Sequence, residues 1–150
     1  MLSDWQKDIL LVGRIYLDEM YFPIMSKNES RKSDKKHYRG LSRNKICVVT
    51  ATDGTDVFLA VCGRAKPSRT RILETMDGHI KNGSVLIHGG ENSHKILTET
   101  FGLIEEVHTT KKTRNLSDND NPMEPVNAVH RNLKRFVRQH PAYDRYDLQD

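Results

Sequence analysis

Apolar residues in this chain fall into short runs and short helical stripes separated by polar stretches, and the change of period marks out the elements. Gly13 to Phe22 (GRIYLDEMYF) is rich in β-branched and aromatic residues and predicts a strand. Lys45 to Thr52 (KICVVTAT) and Val57 to Cys62 (VFLAVC) flank Asp53-Gly54-Thr55-Asp56, a hairpin signal because glycine supplies the positive φ of a tight turn. Ser68 then opens a helix, with Ile72, Leu73, Met76 and Ile80 as one apolar stripe and Asn82-Gly83 as its end. Ser84 to His88 (SVLIH) is a short buried strand running into Gly89-Gly90. Asn92 or Ser93 caps a second helix carrying Ile96, Leu97, Thr100 and Phe101, closed by Gly102. Ile104 to Thr109 reads as a strand and residues 110–124 as a polar loop. A last helix runs from Pro125 to about Gln139, where Pro141 stops it.

The order strand, hairpin, helix, strand, helix, strand, helix predicts an α/β domain. An antiparallel three-strand meander plus two further strands makes a mixed sheet with helices on both faces. The 150 residues suit one domain with a single sizeable core. There is no internal repeat and no apolar run near the roughly 20 residues that span a bilayer, so a cytoplasmic protein without a membrane partner is expected. Cys47 and Cys62 are too few for a disulfide scaffold and belong to no CxxC pair, which predicts reduced, buried thiols.

Charge changes the picture more than composition does. The net charge is a modest +4, yet the cations cluster. Residues 26–44, read as a basic exposed loop, include Lys32, Lys35, Lys36, Arg39 and Arg43. Lys111, Lys112 and Arg114 form a second group, and Arg131, Lys134, Arg135 and Arg138 a third. Such clusters fit either an anionic partner such as nucleic acid or solvated faces.

Three places could carry chemistry. Asp18 and Glu19 interrupt an apolar strand and alternate across it, so one of the two comes close to buried surface, which is costly unless it is paired or binds a metal. His88-Gly89-Gly90-Glu91-Asn92-Ser93-His94 joins a strand to a helix N-terminus, a usual ligand position in α/β sheets, where His88 and His94 are candidate metal ligands. On the last helix Val126, Val129, Leu133, Phe136 and Val137 fall on one arc, and Asn127, His130, Lys134 and Arg138 line its flank.

Taken together, IYLDEMYF (15–22), RGLSRNKICVVTA (39–51), GRAKP (63–67), SVLIHGGENSH (84–94) and NPMEPVNAVHRNLKRFVR (121–138) resemble the DDE-type catalytic domain of bacterial insertion-sequence transposases, in the group with an N-terminal zinc ribbon. The resemblance covers nearly the whole chain in order. It implies an RNase H-like fold and metal-dependent DNA cleavage and strand transfer, with two Mg²⁺ or Mn²⁺ ions in active relatives. It also implies DNA (transposon ends and target) as partner, and a homo-oligomer in active relatives. By the same resemblance the catalytic positions are Asp18, Gly89 and Asn127, of which Asp18 and Asn127 can bind metal. Arg43, Lys111, Lys112, Lys134 and Arg138 are the expected DNA-binding residues. The three catalytic positions should converge, with Asp18 in mid-strand beside the strand of Leu86.

This chain departs from the family pattern at Gly89, where the second Asp is expected. Glycine has no side-chain oxygen, which predicts weak metal binding and impaired cleavage. The zinc ribbon and the helix that relatives place after Tyr146-Asp147-Leu148 are also missing, so the domain is expected to be truncated at both ends. Two other readings are a catalytically inactive DNA-binding or regulatory remnant, and a nuclease acting on RNA–DNA hybrids, which would need a denser acidic cluster.

Overall fold

The computed structural model describes residues 6–23 and 45–139. The basic loop 26–44, Arg43 with it, lies outside the described residues. Five strands form one mixed sheet: β1 (Arg14–Pro23), β2 (Lys45–Thr52), β3 (Val57–Arg64), β4 (Val85–His88) and β5 (Ile104–Val107), in the order β3-β2-β1-β4-β5. The β1–β2 and β2–β3 pairs are antiparallel, while β1–β4 and β4–β5 are parallel. The helices are α1 (Arg69–Met76), α2 (Lys95–Phe101), α3 (Thr110–Thr113) and α4 (Glu124–Gln139), with a 3₁₀ turn at Asn92–His94 leading into α2.

Alternation along the strands sorts side chains to two cores. Ile15 and Leu17 of β1 join Cys47, Val49, Phe58, Leu86 and the α1 and α2 residues Ile72, Met76 and Leu97 on one face. On the other, α4 lies across the sheet, with Met123 and Val126 over Ile87, Tyr16 and Val85, and Leu133 and Val137 over Met20, Phe22, Ile46 and Val48. At ~25 cal/mol per Å² of apolar surface removed from water, burial on both faces is the main force holding the helices to the sheet.

The predicted turns hold for identifiable reasons. Asp53 Oδ1 accepts the N–H groups of Thr55 (2.9 Å) and Asp56 (2.8 Å), and Gly54 takes φ +90° at the hairpin tip. Ser68 caps α1 by accepting the Arg71 N–H, and Gly102 closes α2 at φ 61°.

Other boundaries move. The helix expected to reach Ile80 ends at Met76: Gly78 turns the chain at φ +78°, and Ile80 instead makes a parallel bridge to Leu11. The strand expected from Gly13 to Phe22 begins at Arg14, because Gly13 has φ +79°. The expected strand to Thr109 ends at Val107, and the polar loop 110–124 contains α3. Neither Asn92 nor Ser93 caps α2, which follows directly on the 3₁₀ turn. Cys47 and Cys62 are free and buried, and burial pushes both thiols up, so neither is poised as a nucleophile. No helix among the described residues is long and apolar enough to cross a membrane.

Candidate functional site

Asp18 stands in the middle of β1, opposite Thr50 of β2, on the face that α4 covers. It falls between the two apolar patches under that helix, flanked on its own strand by Tyr16 and Met20. The parallel β1–β4 register ends at Tyr16–Ile87, two residues before Asp18 on β1 and two before Gly89 on the β4 side. Asn127 is half-buried on α4, one turn before His130.

His130 is the α4 residue that meets Asp18, with its Nδ1 3.9 Å from Asp18 Oδ2. Its position on the helix was legible as a flank; its place was not. Val126, His130, Leu133 and Val137 recur at i, i+4, i+7 and i+11, the stripe that faces the sheet, while Phe136, expected on the apolar arc, is 45% exposed. The Thr50 hydroxyl donates to the Asp18 carbonyl (2.9 Å) and therefore accepts from His130 Nε2. That assigns the tautomer: His130 carries its proton on Nε2 and turns an Nδ1 lone pair toward the Asp18 carboxyl. Burial and the neighbouring Lys134 hold His130 down to about 4, so it is neutral at pH 7 and offers Asp18 no counter-charge. Burial, partly offset by the Glu19 backbone N–H on Asp18 Oδ1 (2.9 Å), raises Asp18 to about 6.

Glu19 points to the opposite face and begins a chain of polar groups that is buried as far as His88. It meets His94 Nε2; His94 Nδ1 lies 3.1 Å from His88 Nδ1; His88 Nε2 lies 2.7 Å from Glu105 of β5. The Glu19, His94 and His88 side chains are 7%, 1% and 1% exposed. His88 Nδ1 also receives the Gly90 N–H (3.2 Å), so it is an acceptor and His88 carries its proton on Nε2, toward Glu105. His94 turns Nδ1 to His88 and Nε2 to Glu19. Burial, followed by the nearby His94 ring, pushes the His88 pKa down, in keeping with a neutral acceptor. His88 and His94 turn their nitrogens to each other and to the Glu19 and Glu105 carboxyls.

The donors around Asp18 do not fit a pair of hard divalent cations. Gly89 contributes no side chain, Asn127 only a neutral amide, and His130 a nitrogen that Mg²⁺ takes poorly. Glu91 does not substitute, since its carboxylate pairs with Lys66 at 3.0 Å. Among the described residues no group of three or more His, Cys, Asp or Glu side chains is arranged to hold a metal ion.

The two glycines after His88 differ sharply. Gly90 has φ +91°, and a Cβ there would meet Val107 Cγ1 at 3.0 Å, so the backbone demands glycine. Gly89 lies outside the left-handed region, and a Cβ would touch only the His108 carbonyl, at 3.8 Å, an ordinary contact. Of the expected DNA-binding residues, Lys111, Lys112, Lys134 and Arg138 are exposed, on α3 and α4. Neither the family models nor the curated proteins gave a match to this chain.

Proposed function

We propose that this chain is an RNase H-like, DDE-type transposase domain that binds DNA and has lost the metal-dependent cleavage and strand-transfer chemistry of that family. The observation that carries the reading is the register around Asp18. A carboxylate in mid-strand at an electrostatic cost, two residues beyond the last β1–β4 pair, supports this reading, since a two-cation phosphoryl-transfer site uses such a carboxylate. The strand order β3-β2-β1-β4-β5, with the first three strands antiparallel and the last two parallel, supports the RNase H-like assignment. At the position where the second carboxylate is expected stands Gly89, a glycine that the backbone does not require.

Lys134 and Arg138 on α4, with Lys111 and Lys112 on α3, are the cations that would contact phosphates and give affinity that is largely independent of sequence. Two measurements test the reading. Duplex-DNA affinity should fall with salt, losing a slope of roughly 0.9 in log–log terms for each phosphate contact removed by a Lys→Gln change at these positions. Calorimetry with Mn²⁺ should show no saturable binding to the wild-type chain and saturable binding to Gly89→Asp, whose side chain the local packing admits. A wild-type chain that cleaves DNA in Mg²⁺ as well as Gly89→Asp does would overturn the placement of the missing ligand. Affinity for DNA indifferent to salt would overturn the proposed partner.

A further inference from the structure

Asp18 Oδ2 and His130 Nδ1 face each other across 3.9 Å without sharing a proton. Thr50 decides the ring's side of this. Its hydroxyl hydrogen goes to the Asp18 carbonyl at 2.9 Å, so the proton that meets the hydroxyl oxygen is on His130 Nε2, and Nδ1 is left with a lone pair. A proton donated by the carboxyl would draw the two atoms to about 2.7–3.2 Å, well inside the distance they keep.

Two electron-pair donors so placed are positioned for a shared cation. Bonds of about 2.1 Å from one cation to each atom set them roughly 3.4 Å apart at the tetrahedral angle, about half an ångström closer than they stand. The ring is also prepared as ligating histidines are, with its far N–H held by an oxygen that fixes tautomer and orientation. Thr50 is fully buried, and its donation to the β1 backbone ties the ring to the strand that carries Asp18. The Asp18 side chain is partly open to water and that of His130 nearly closed, so an ion reaches the pair from the carboxylate side and water completes its coordination.

We infer that Asp18 and His130 hold a single borderline divalent cation of the zinc type, with Thr50 as the positioning residue for the ring. The donor pair selects the ion: imidazole suits Zn²⁺ and Ni²⁺, whereas Mn²⁺ stands at the weak end of the same order and Mg²⁺ keeps to oxygen. Two protein ligands leave the ion exchangeable rather than structural, and Lys134, whose charge reaches His130, opposes it. One such ion does not supply two-cation chemistry. The inference shares Asp18 with the transposase reading but does not depend on it, since it rests on the contacts among Asp18, Thr50 and His130.

The test is calorimetry of the full chain, stripped with a chelator, against Zn²⁺, with Mn²⁺ and Mg²⁺ as comparison ions, followed by ¹⁵N spectra of the imidazole rings. Zn²⁺ should bind saturably where Mn²⁺ and Mg²⁺ do not, shifting the His130 Nδ1 resonance while Nε2 keeps its proton. Asp18→Asn and His130→Gln should each weaken that binding by about tenfold or more. Thr50→Val should weaken it by about tenfold and let the His130 ring exchange tautomers, and Thr50→Ser should restore both. Lys134→Gln should tighten it about twofold. Equal Zn²⁺ affinity in wild type, Asp18→Asn and His130→Gln would place the ion elsewhere and overturn the inference, and so would Mn²⁺ binding as tight as that of Zn²⁺. The two readings fail separately. Zn²⁺ bound at His130 in a chain whose DNA affinity ignores salt would sink the transposase reading alone. Salt-dependent DNA affinity with no Zn²⁺ shift at His130 would sink this inference alone.

Discussion

Replacing Asp18 by Asn and His130 by Gln should tilt the pH dependence of stability in opposite directions. Asp18 has a folded-state pKa of about 6 against an ordinary 3.8, so the folded chain holds that proton more tightly than the unfolded chain. Its stabilising effect is complete below 3.8 and is lost as pH rises to about 6. The interval corresponds to ~3 kcal/mol at ~1.4 kcal/mol per pH unit. With 43% of the side chain open to water, screening reduces the expected effect to about 1 kcal/mol. His130 runs the other way: its folded value of about 4 lies below an ordinary 6.5, so stability is full above 6.5 and is lost as pH falls toward 4. The interval corresponds to ~3.5 kcal/mol, and with its side chain only 12% exposed roughly 2–3 kcal/mol of it is expected after modest screening. Urea unfolding from pH 4 to 7.5, in the presence of a chelator, would be compared as differences from wild type, which removes the contribution of other groups. Asp18→Asn should be about 1 kcal/mol more stable than wild type at pH 7 and match it near pH 4. His130→Gln, whose amide can still donate to Thr50, should gain on wild type by about 2 kcal/mol over the same fall in pH. Flat difference curves, or two curves of the same sign, would refute the assignment of a neutral His130 beside a burdened Asp18.

Further outcomes follow from the packing. His94→Leu should cost about 3–5 kcal/mol in chemical denaturation, because it strands the Glu19 carboxylate in the core. The double change Glu19→Leu with His94→Leu should cost clearly less than the sum of the two singles. Gly90→Ala should lower stability by about 1–2 kcal/mol, because of its positive φ and the Val107 contact, whereas Gly89→Ala should be neutral or stabilising by up to ~1 kcal/mol. A Gly89→Ala chain as damaged as Gly90→Ala would show that the backbone at Gly89 does need glycine.

Much of the fold was legible in the sequence because its signals are local. Alternation in IYLDEMYF, the Asp53-Gly54 turn, the Ser68 cap and Gly102 each act within a few residues, and each recurs in the structure. Helix ends were less legible: the stripe from Ile72 to Ile80 is apolar throughout, but Ile80 is buried through a bridge to Leu11, a contact 69 positions away in sequence that no helical period encodes. Asp18 could be singled out because an acid in an apolar strand is costly wherever it points. The partners of Glu19 could not. His88 and His94 carry no local mark of pairing, and whether Glu19 meets them depends on which face β1 turns to α2. A period-2 pattern with one acid on each side leaves that choice open. His130 was misplaced by one flank for a similar reason: the apolar arc drawn through Phe136 is as good as the one through His130 until Thr50 supplies a partner for the ring.

The chain from Glu19 through His94 and His88 to Glu105 has a kinetic consequence. The parallel half of the sheet is short: β4 and β5 have four residues each, and β1 and β4 share three paired positions. Side chains here supply the cross-links that so brief a backbone ladder lacks, joining β1, the 92–94 turn, β4 and β5 through contacts that are buried from Glu19 to His88 and open to water at Glu105. Residues 89–94 therefore cannot lift away alone as a surface loop would, because doing so leaves Glu19 without His94 and His88 Nδ1 without its contacts to His94 and Gly90. Their backbone amides should exchange with solvent at the pace of β4 and β5, so that strand and loop open as one unit.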